Sequence, residues 1–366
     1  MKILPAGASL AAVLALALTG CATNESTAPG GNGADGTTDN QLQGQVQGTG
    51  ASSMQAAQEA WIASFGQIQP GLTVNYQPEG SGAGRTAFTN GGAAFAGSDR
   101  ALNDQEIADR GFAKCTPESS AVNLPVYISP IAIVYNAEGV DELRLDAETT
   151  AKIFRGDITN WNDPAIAALN DGVTFPDQQI TAVHRSDDSG TTENFTETLH
   201  AAASEVWTDE PDGEWPAALG GESANGTSGV VAAVRNGQGT IGYADASQAG
   251  DLNQATYART ADDEFFGPTS EAAAQIVEAS PTVEGRAEHD LALNLDRTAS
   301  GYPFVLVAYA IACEDYADDA EAERVKSYLG YITSEEGQQI SEQAAGSASL
   351  SANLRDRVQA SVDAIQ

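Results

Sequence analysis

The period of the apolar positions changes repeatedly along this chain, and each change predicts an element. Met54, Ala57, Trp61, Ile62 and Phe65 fall at helical spacing, so that segment is expected to bury one face of a helix. Leu72-Thr73-Val74-Asn75-Tyr76 alternates apolar with polar and predicts a half-buried strand, after which the run through Arg85 and Phe88 returns to the helical period. Ile131-Ala132-Ile133-Val134-Tyr135 and Val305-Leu306-Val307 are apolar without interruption, the pattern of central strands covered on both faces. Ile180 to Val183 predicts another short buried strand, and from Thr191 a helix follows with Phe195 and Leu199 on one face.

The N-terminal pattern is different. Lys2 precedes an apolar run from Leu10 to Leu18 that ends in Leu18-Thr19-Gly20-Cys21. That run is too short for a membrane span, and it reads as a cleaved export signal over residues 1–20 closed by a lipobox. Cys21 is therefore expected to become the lipid-modified first residue, anchoring the protein to the outer face of the cell membrane. Residues 21–46 are Gly, Thr, Asn, Asp and Gln with almost nothing apolar, which predicts a flexible tether. From Gln47 to Gln366 the chain is too long for one ordinary core and suits two lobes.

Composition narrows the function. Lys and Arg number 17 against 51 Asp and Glu, and loss of Lys2 with the leader takes the net charge from −34 to −35. A protein this acidic is not a nucleic-acid binder and is repelled by acidic lipid surfaces. Two cysteines remain after Cys21, Cys115 and Cys313. In an oxidising compartment two thiols often pair, which would tie an early segment to a late one; two buried free thiols are the alternative. His184, His200 and His289 are scattered without metal-ligand spacing, and the chain is expected to need neither metal nor cofactor.

The candidate chemistry lies where Gly, Ser and Thr lead into helices. Gly48-Thr49-Gly50-Ala51-Ser52-Ser53, Gly80-Ser81-Gly82-Ala83-Gly84 and Ser189-Gly190-Thr191 each precede a helical pattern. The first amides of a helix have no internal partner and carry the positive end of its dipole, so three such starts could converge on one small anion. His184-Arg185-Ser186-Asp187-Asp188-Ser189-Gly190-Thr191-Thr192 adds a guanidinium to amides and hydroxyls. Read alone, this segment is equally a capped helix start with Arg185 in a surface ion pair. Phe95-Ala96-Gly97-Ser98-Asp99 ends in a carboxylate. By itself Asp99 reads as a turn residue capping the helix that starts near Asn103; beside an anion it would accept a hydrogen bond from a protonated ligand and repel an unprotonated one.

These segments, together with Ile153-Phe154-Arg155-Gly156-Asp157-Ile158-Thr159-Asn160-Trp161, resemble the substrate-binding proteins of phosphate ABC transporters. Gly229-Val230-Val231, Gly239-Thr240-Ile241-Gly242-Tyr243 and Tyr302-Pro303-Phe304 support the resemblance, which runs from residue 47 to the C-terminus. It implies an α/β, two-lobed, periplasmic-binding-protein fold of the Venus-flytrap kind with two crossing strands, near Val126 to Ser129 and near Ser300 to Pro303. Lobe I would comprise 47–126 plus 300–366, and lobe II 127–299. It further implies that Ser52, Ser53, Ser81, Asp99, Arg185, Ser189, Gly190 and Thr191 contact phosphate, with Asp187 steadying Arg185. The implied partners are inorganic phosphate and the permease and ATPase subunits of an importer, with the protein itself a monomer. Trp161, Trp207 and Trp215 are expected to be packing residues.

Rival functions fare less well. Ser189 with His184 is the one candidate nucleophile and base for a phosphoester hydrolase, but Gly-x-Ser-x-Gly is absent and His184 need not share the face of Arg185. Gly80 to Thr86 fails as a P-loop, since Glu79 stands at the first glycine and Arg85 at the lysine. A binder of another oxyanion, sulfate or molybdate, is the nearest alternative, and Asp99 argues against it.

Overall fold

The computed structural model describes residues 41–366 apart from Arg110. The expected signal, the expected lipid site Cys21 and the tether as far as Asn40 lie outside the described residues. Eleven strands follow in chain order among those described: β1 (Gly44–Gly50), β2 (Leu72–Gln77), β3 (Phe95–Ser98), β4 (Ala121–Asn136), β5 (Arg144–Asp146), β6 (Thr181–Arg185), β7 (Glu222–Ala224), β8 (Thr240–Asp245), β9 (Asn253–Gln254), β10 (Thr256–Ala258) and β11 (Val305–Cys313). The main path runs β2-β1-β3-β11-β4-β8-β6-β7, with β9 also on β4, while β5 and β10 form a separate parallel pair.

β1 opens at Gly44, inside the stretch expected to be tether up to residue 46. Val46 is buried and pairs with Val74 of β2 in parallel register. One apolar residue between two glutamines leaves no readable period, so the pairing with β2 and not the local pattern makes this a strand.

The architecture is α/β and two-lobed, and β4 is what joins the halves. Its residues Ala121 to Pro130 pair antiparallel with β11, and Ile131 to Asn136 pair antiparallel with β8. The exchange of partner falls at Pro130–Ile131, slightly beyond the expected Val126 to Ser129. Pro125 and Pro130 supply no amide to a ladder, and the β11 register shifts at Ala308/Tyr309 opposite Pro125, so the strand is free to bend at these points. The second crossing lies against the first: the Ile131 amide donates to the Phe304 carbonyl at 2.7 Å, and the Tyr302 hydroxyl donates to the Ile131 carbonyl at 2.9 Å.

Helices form where the sequence pattern placed them. Gln55–Ile68 buries Ala57, Trp61 and Phe65, and Gly190–Ala202 buries Phe195 and Leu199. Ser81–Thr89 starts after Gly80, whose φ of 102° is a backbone state that favours glycine. Gly226–Asn236 covers a small second core of Val134, Val183, Val230 and Val234. Cys115 and Cys313 form a disulfide across 198 residues, joining the segment before β4 to the end of β11. Trp161 and Trp207 are fully buried, and Trp207, Trp215, Phe154 and Tyr243 form one aromatic cluster.

Candidate anion-binding cleft

Asp99 is the centre of a buried polar cluster built from both sides of the β4 crossing. It follows β3, whose four residues are all buried, and is itself 3 % exposed. Its Oδ1 accepts from the Ser53 hydroxyl at 2.5 Å and its Oδ2 from the Thr191 hydroxyl at 2.8 Å. The Asp99 amide donates to Ser81 Oγ at 3.1 Å. Three residues predicted for one site are thus gathered on a fourth. Burial pushes the Asp99 carboxyl above its usual range, while the Ser53 and Thr191 bonds and the Arg185 and Arg85 charges pull it back.

Ser189 caps the helix Gly190–Ala202, its hydroxyl accepting the Thr192 amide at 3.2 Å. That leaves the Gly190 and Thr191 amides, at the positive end of the helix, with no partner among the described residues. Gly190 has to be glycine for steric reasons. A Cβ there would lie 2.8 Å from both Asp99 Cβ and Ser81 Oγ, atoms of the opposite wall.

Arg185 ends β6 and is 3 % exposed. Its Nε donates to Asp187 Oδ1 at 2.8 Å and its Nη2 to Asp187 Oδ2, a forked pair that fixes the guanidinium plane and leaves Nη1 uncommitted. Burial alone would raise Asp187; the Arg185 bonds, the Arg185 charge and the Gly226 amide at 3.1 Å outweigh it and hold the carboxyl below its usual range.

Ser52 faces a partner that sequence reasoning missed. Its hydroxyl lies 3.0 Å from Thr227 Oγ1 and accepts the Thr227 amide at 3.1 Å. Thr227 opens the helix Gly226–Asn236, so a fourth helix start joins the three foreseen. The signal was present in Asn225-Gly226-Thr227-Ser228-Gly229, a Gly/Ser/Thr lead-in like the others.

A second guanidinium lies beside this cluster, its charge acting on Asp99 together with that of Arg185. Arg85 is 3 % exposed, with Nη1 donating to Ser98 Oγ at 3.2 Å and Nη2 to Asp188 Oδ2 at 3.1 Å. Its place among small residues made it look like a failed P-loop lysine. Arg85 and Asp188 tie opposite walls, as do Arg100 and Glu193 at 2.7 Å and the Gly82 amide with the Asp188 carbonyl at 3.1 Å.

His184 turns away from the cluster. Its ring stacks on Trp215 with centroids 4.8 Å apart, and Nδ1 lies 2.9 Å from the Arg185 carbonyl. With Ser189 Oγ engaged by the Thr192 amide, neither residue is bonded as nucleophile or base to the other. Among the described residues no group of three or more His, Cys, Asp or Glu side chains is placed to hold a metal ion.

Two crossing segments, two α/β lobes and a buried polar cleft define the class of two-lobed solute-binding proteins. Consistent with that class, the domain family described as the PBP superfamily domain matches residues 35–336. Among curated relatives, the chain is 37 % identical over 298 residues to the phosphate-binding protein PstS 3 of Mycobacterium leprae, covering 78 % of this chain and 77 % of that protein. It is 36 % identical over 341 residues to PstS2 of Mycobacterium bovis, covering 90 % of each. Solved structures with the same fold include a high affinity periplasmic phosphate-binding protein bound with phosphate, with TM-score 0.68, 22 % identity and 86 % and 93 % coverage. The phosphate-binding protein of Stenotrophomonas maltophilia gives a TM-score of 0.66 at 20 % identity, with 87 % and 93 % coverage. The chain belongs to the PstS family of phosphate-binding proteins within that superfamily.

Proposed function

We propose that this protein captures inorganic phosphate in its interlobe cleft outside the cytoplasm and delivers it to an ABC permease for import. The observation that carries this reading is the buried Asp99 carboxylate, held by Ser53 and Thr191 beside the Arg185–Asp187 pair and unpartnered helix amides. Phosphate near neutral pH keeps at least one proton, which an ionised Asp99 accepts. Sulfate and molybdate bring no proton and meet repulsion there.

In this reading Ser52, Ser53, Ser81, Asp99, Arg185, Ser189, Gly190 and Thr191 line the phosphate, and Asp187 steadies Arg185. The hinge at Pro130–Ile131 and the Gly301–Phe304 segment separate lobe I, up to about residue 130 plus the chain after 300, from lobe II between them. Closure is favoured by ligand because only then do both lobes donate to one anion. Lipidated Cys21 anchors a monomer that performs no catalysis. Support comes from the named relatives and from His184 facing Trp215 instead of Ser189.

Arg185→Ala is the direct test. Loss of a charge-assisted bond in a dry site costs about 1.5–3 kcal/mol, so calorimetry is expected to show phosphate affinity reduced by roughly ten- to a hundredfold. Near-parental binding in that variant contradicts the assignment.

A further inference from the structure

Asn194 sits one turn after Gly190 on the helix Gly190–Ala202, 4 % exposed, and reaches across to the opposite wall. Its Nδ2 donates to the Asp99 carbonyl at 2.7 Å and to the Gly190 carbonyl at 2.8 Å, and its Oδ1 accepts from Arg297 Nη2. The direction of this amide is forced by chemistry. A guanidinium only donates and a carbonyl only accepts, so Oδ1 must face Arg297 and Nδ2 must face the two carbonyls.

Arg297 is equally committed. It is 4 % exposed, and its Nη1 donates to the Pro303 carbonyl at 3.0 Å and the Val305 carbonyl at 2.6 Å. Its Nε and Nη2 reach Glu197 Oε2 at 3.1 and 2.7 Å. The Pro303 carbonyl also accepts from Thr198 Oγ1 at 3.1 Å, one turn further along the same helix as Asn194. A continuous chain of bonds therefore runs from the second crossing segment through Arg297 and Asn194 to the backbone of Asp99. The Asn194–Gly190 bond is internal to one helix and survives opening of the cleft. The Asn194–Asp99 bond spans the two walls and exists only while they are together.

We infer that Asn194, oriented by Arg297, is a positioning residue that holds Asp99 in the closed cleft and couples that state to the second crossing segment. It touches no ligand atom and acts through the Asp99 backbone. Its loss is felt as an earlier release of ligand and not as slower capture, because the cross-wall bond forms only on closure. The inference rests on the phosphate-binding reading above.

The experiment measures inorganic phosphate association and dissociation by stopped flow, with a thermal midpoint for each protein. Asn194→Leu removes the donors and the acceptor; Asn194→Asp keeps an acceptor for Arg297 and removes both donors. Both variants are expected to release phosphate about tenfold faster, as loss of one bond of about 1.4 kcal/mol implies, with association within about twofold of the parent. Asn194→Asp strips the Gly190 and Asp99 carbonyls of their donor and so lowers the thermal midpoint as well; the split between faster dissociation and parental association is what separates positioning from a merely structural part. Parental dissociation in both variants, faster release confined to Asn194→Leu, or association slowed as much as release is quickened, overturns the inference while phosphate binding by the parent stands. A parent that binds no phosphate overturns the functional reading and this inference with it.

Discussion

At the scale of single residues, the proposed selectivity rests on one proton. In the proposed site Asp99 is a carboxylate beside an anion, tolerable because Ser53 and Thr191 donate to it and Arg185 and Arg85 lie close enough to offset its charge. Burial still leaves its proton affinity raised, so an acidified site contains more of the protonated form, and a protonated Asp99 is a donor that sulfate can use. Asp99→Asn makes that change permanent. In this variant sulfate is expected to compete with phosphate at neutral pH, whereas in the parent sulfate competition emerges only as pH falls. An Asp99→Asn protein that binds phosphate yet ignores sulfate as completely as the parent contradicts the assignment. Asp99 was readable in the sequence only with its neighbours; alone, the same residue is a turn aspartate, and nothing local signals that it is 97 % enclosed.

At the scale of elements, the cleft is a meeting of helix starts, and three of the four were legible from Gly/Ser/Thr lead-ins. The start at Gly226 was hidden because its lead-in follows a three-residue strand, β7, with no buried residue to mark it. Arg85 and Asn194 were out of reach for a common reason: their cross-wall contacts, to Asp188 and to Asp99, join residues 103 and 95 positions apart, which no local period reports. The same holds for β4, whose single apolar run reads as one central strand although it serves two sheet partners. Where β4 changes partner, Ile131 pairs with Asp245 of β8. Asp245 is fully buried; Tyr127 Oη donates to its Oδ1 at 3.1 Å, as does the Ser247 amide at 3.0 Å, and Oδ2 meets no donor among the described residues. Burial pushes this carboxyl up to about 7, with the Ser247 and Ser129 hydroxyls pulling it back and the Asp99 charge adding to the rise. The folded state therefore holds a proton that the unfolded state releases near pH 4, and stability conferred by the protonated form is lost as pH rises through about 7. Thermal melts at pH 5 and pH 8 are expected to show a steeper fall in midpoint for the parent than for Asp245→Asn, by a few degrees, roughly what 1 kcal/mol shifts a domain of this size or smaller. Equal slopes contradict this account of the hinge.

At the scale of the whole molecule, a net charge of −34 surrounds a site for an anion. In the proposed mechanism, capture proceeds against the outer field and retention depends on short-range donors in a buried cleft: Arg185 held by Asp187, the Gly190 and Thr191 amides, and hydroxyls on both walls. Salt at ordinary ionic strength screens over about 8–10 Å, so it weakens the long-range repulsion far more than it weakens contacts made inside the closed cleft. The titration that tests the central claim is therefore calorimetry of the purified protein, stripped of bound ligand, with phosphate and separately with sulfate, at low and at high sodium chloride. Saturable one-to-one phosphate binding whose affinity survives added salt, with no sulfate binding at neutral pH, is the predicted result. Sulfate binding as tight as phosphate, or phosphate affinity that collapses with salt, would contradict the account.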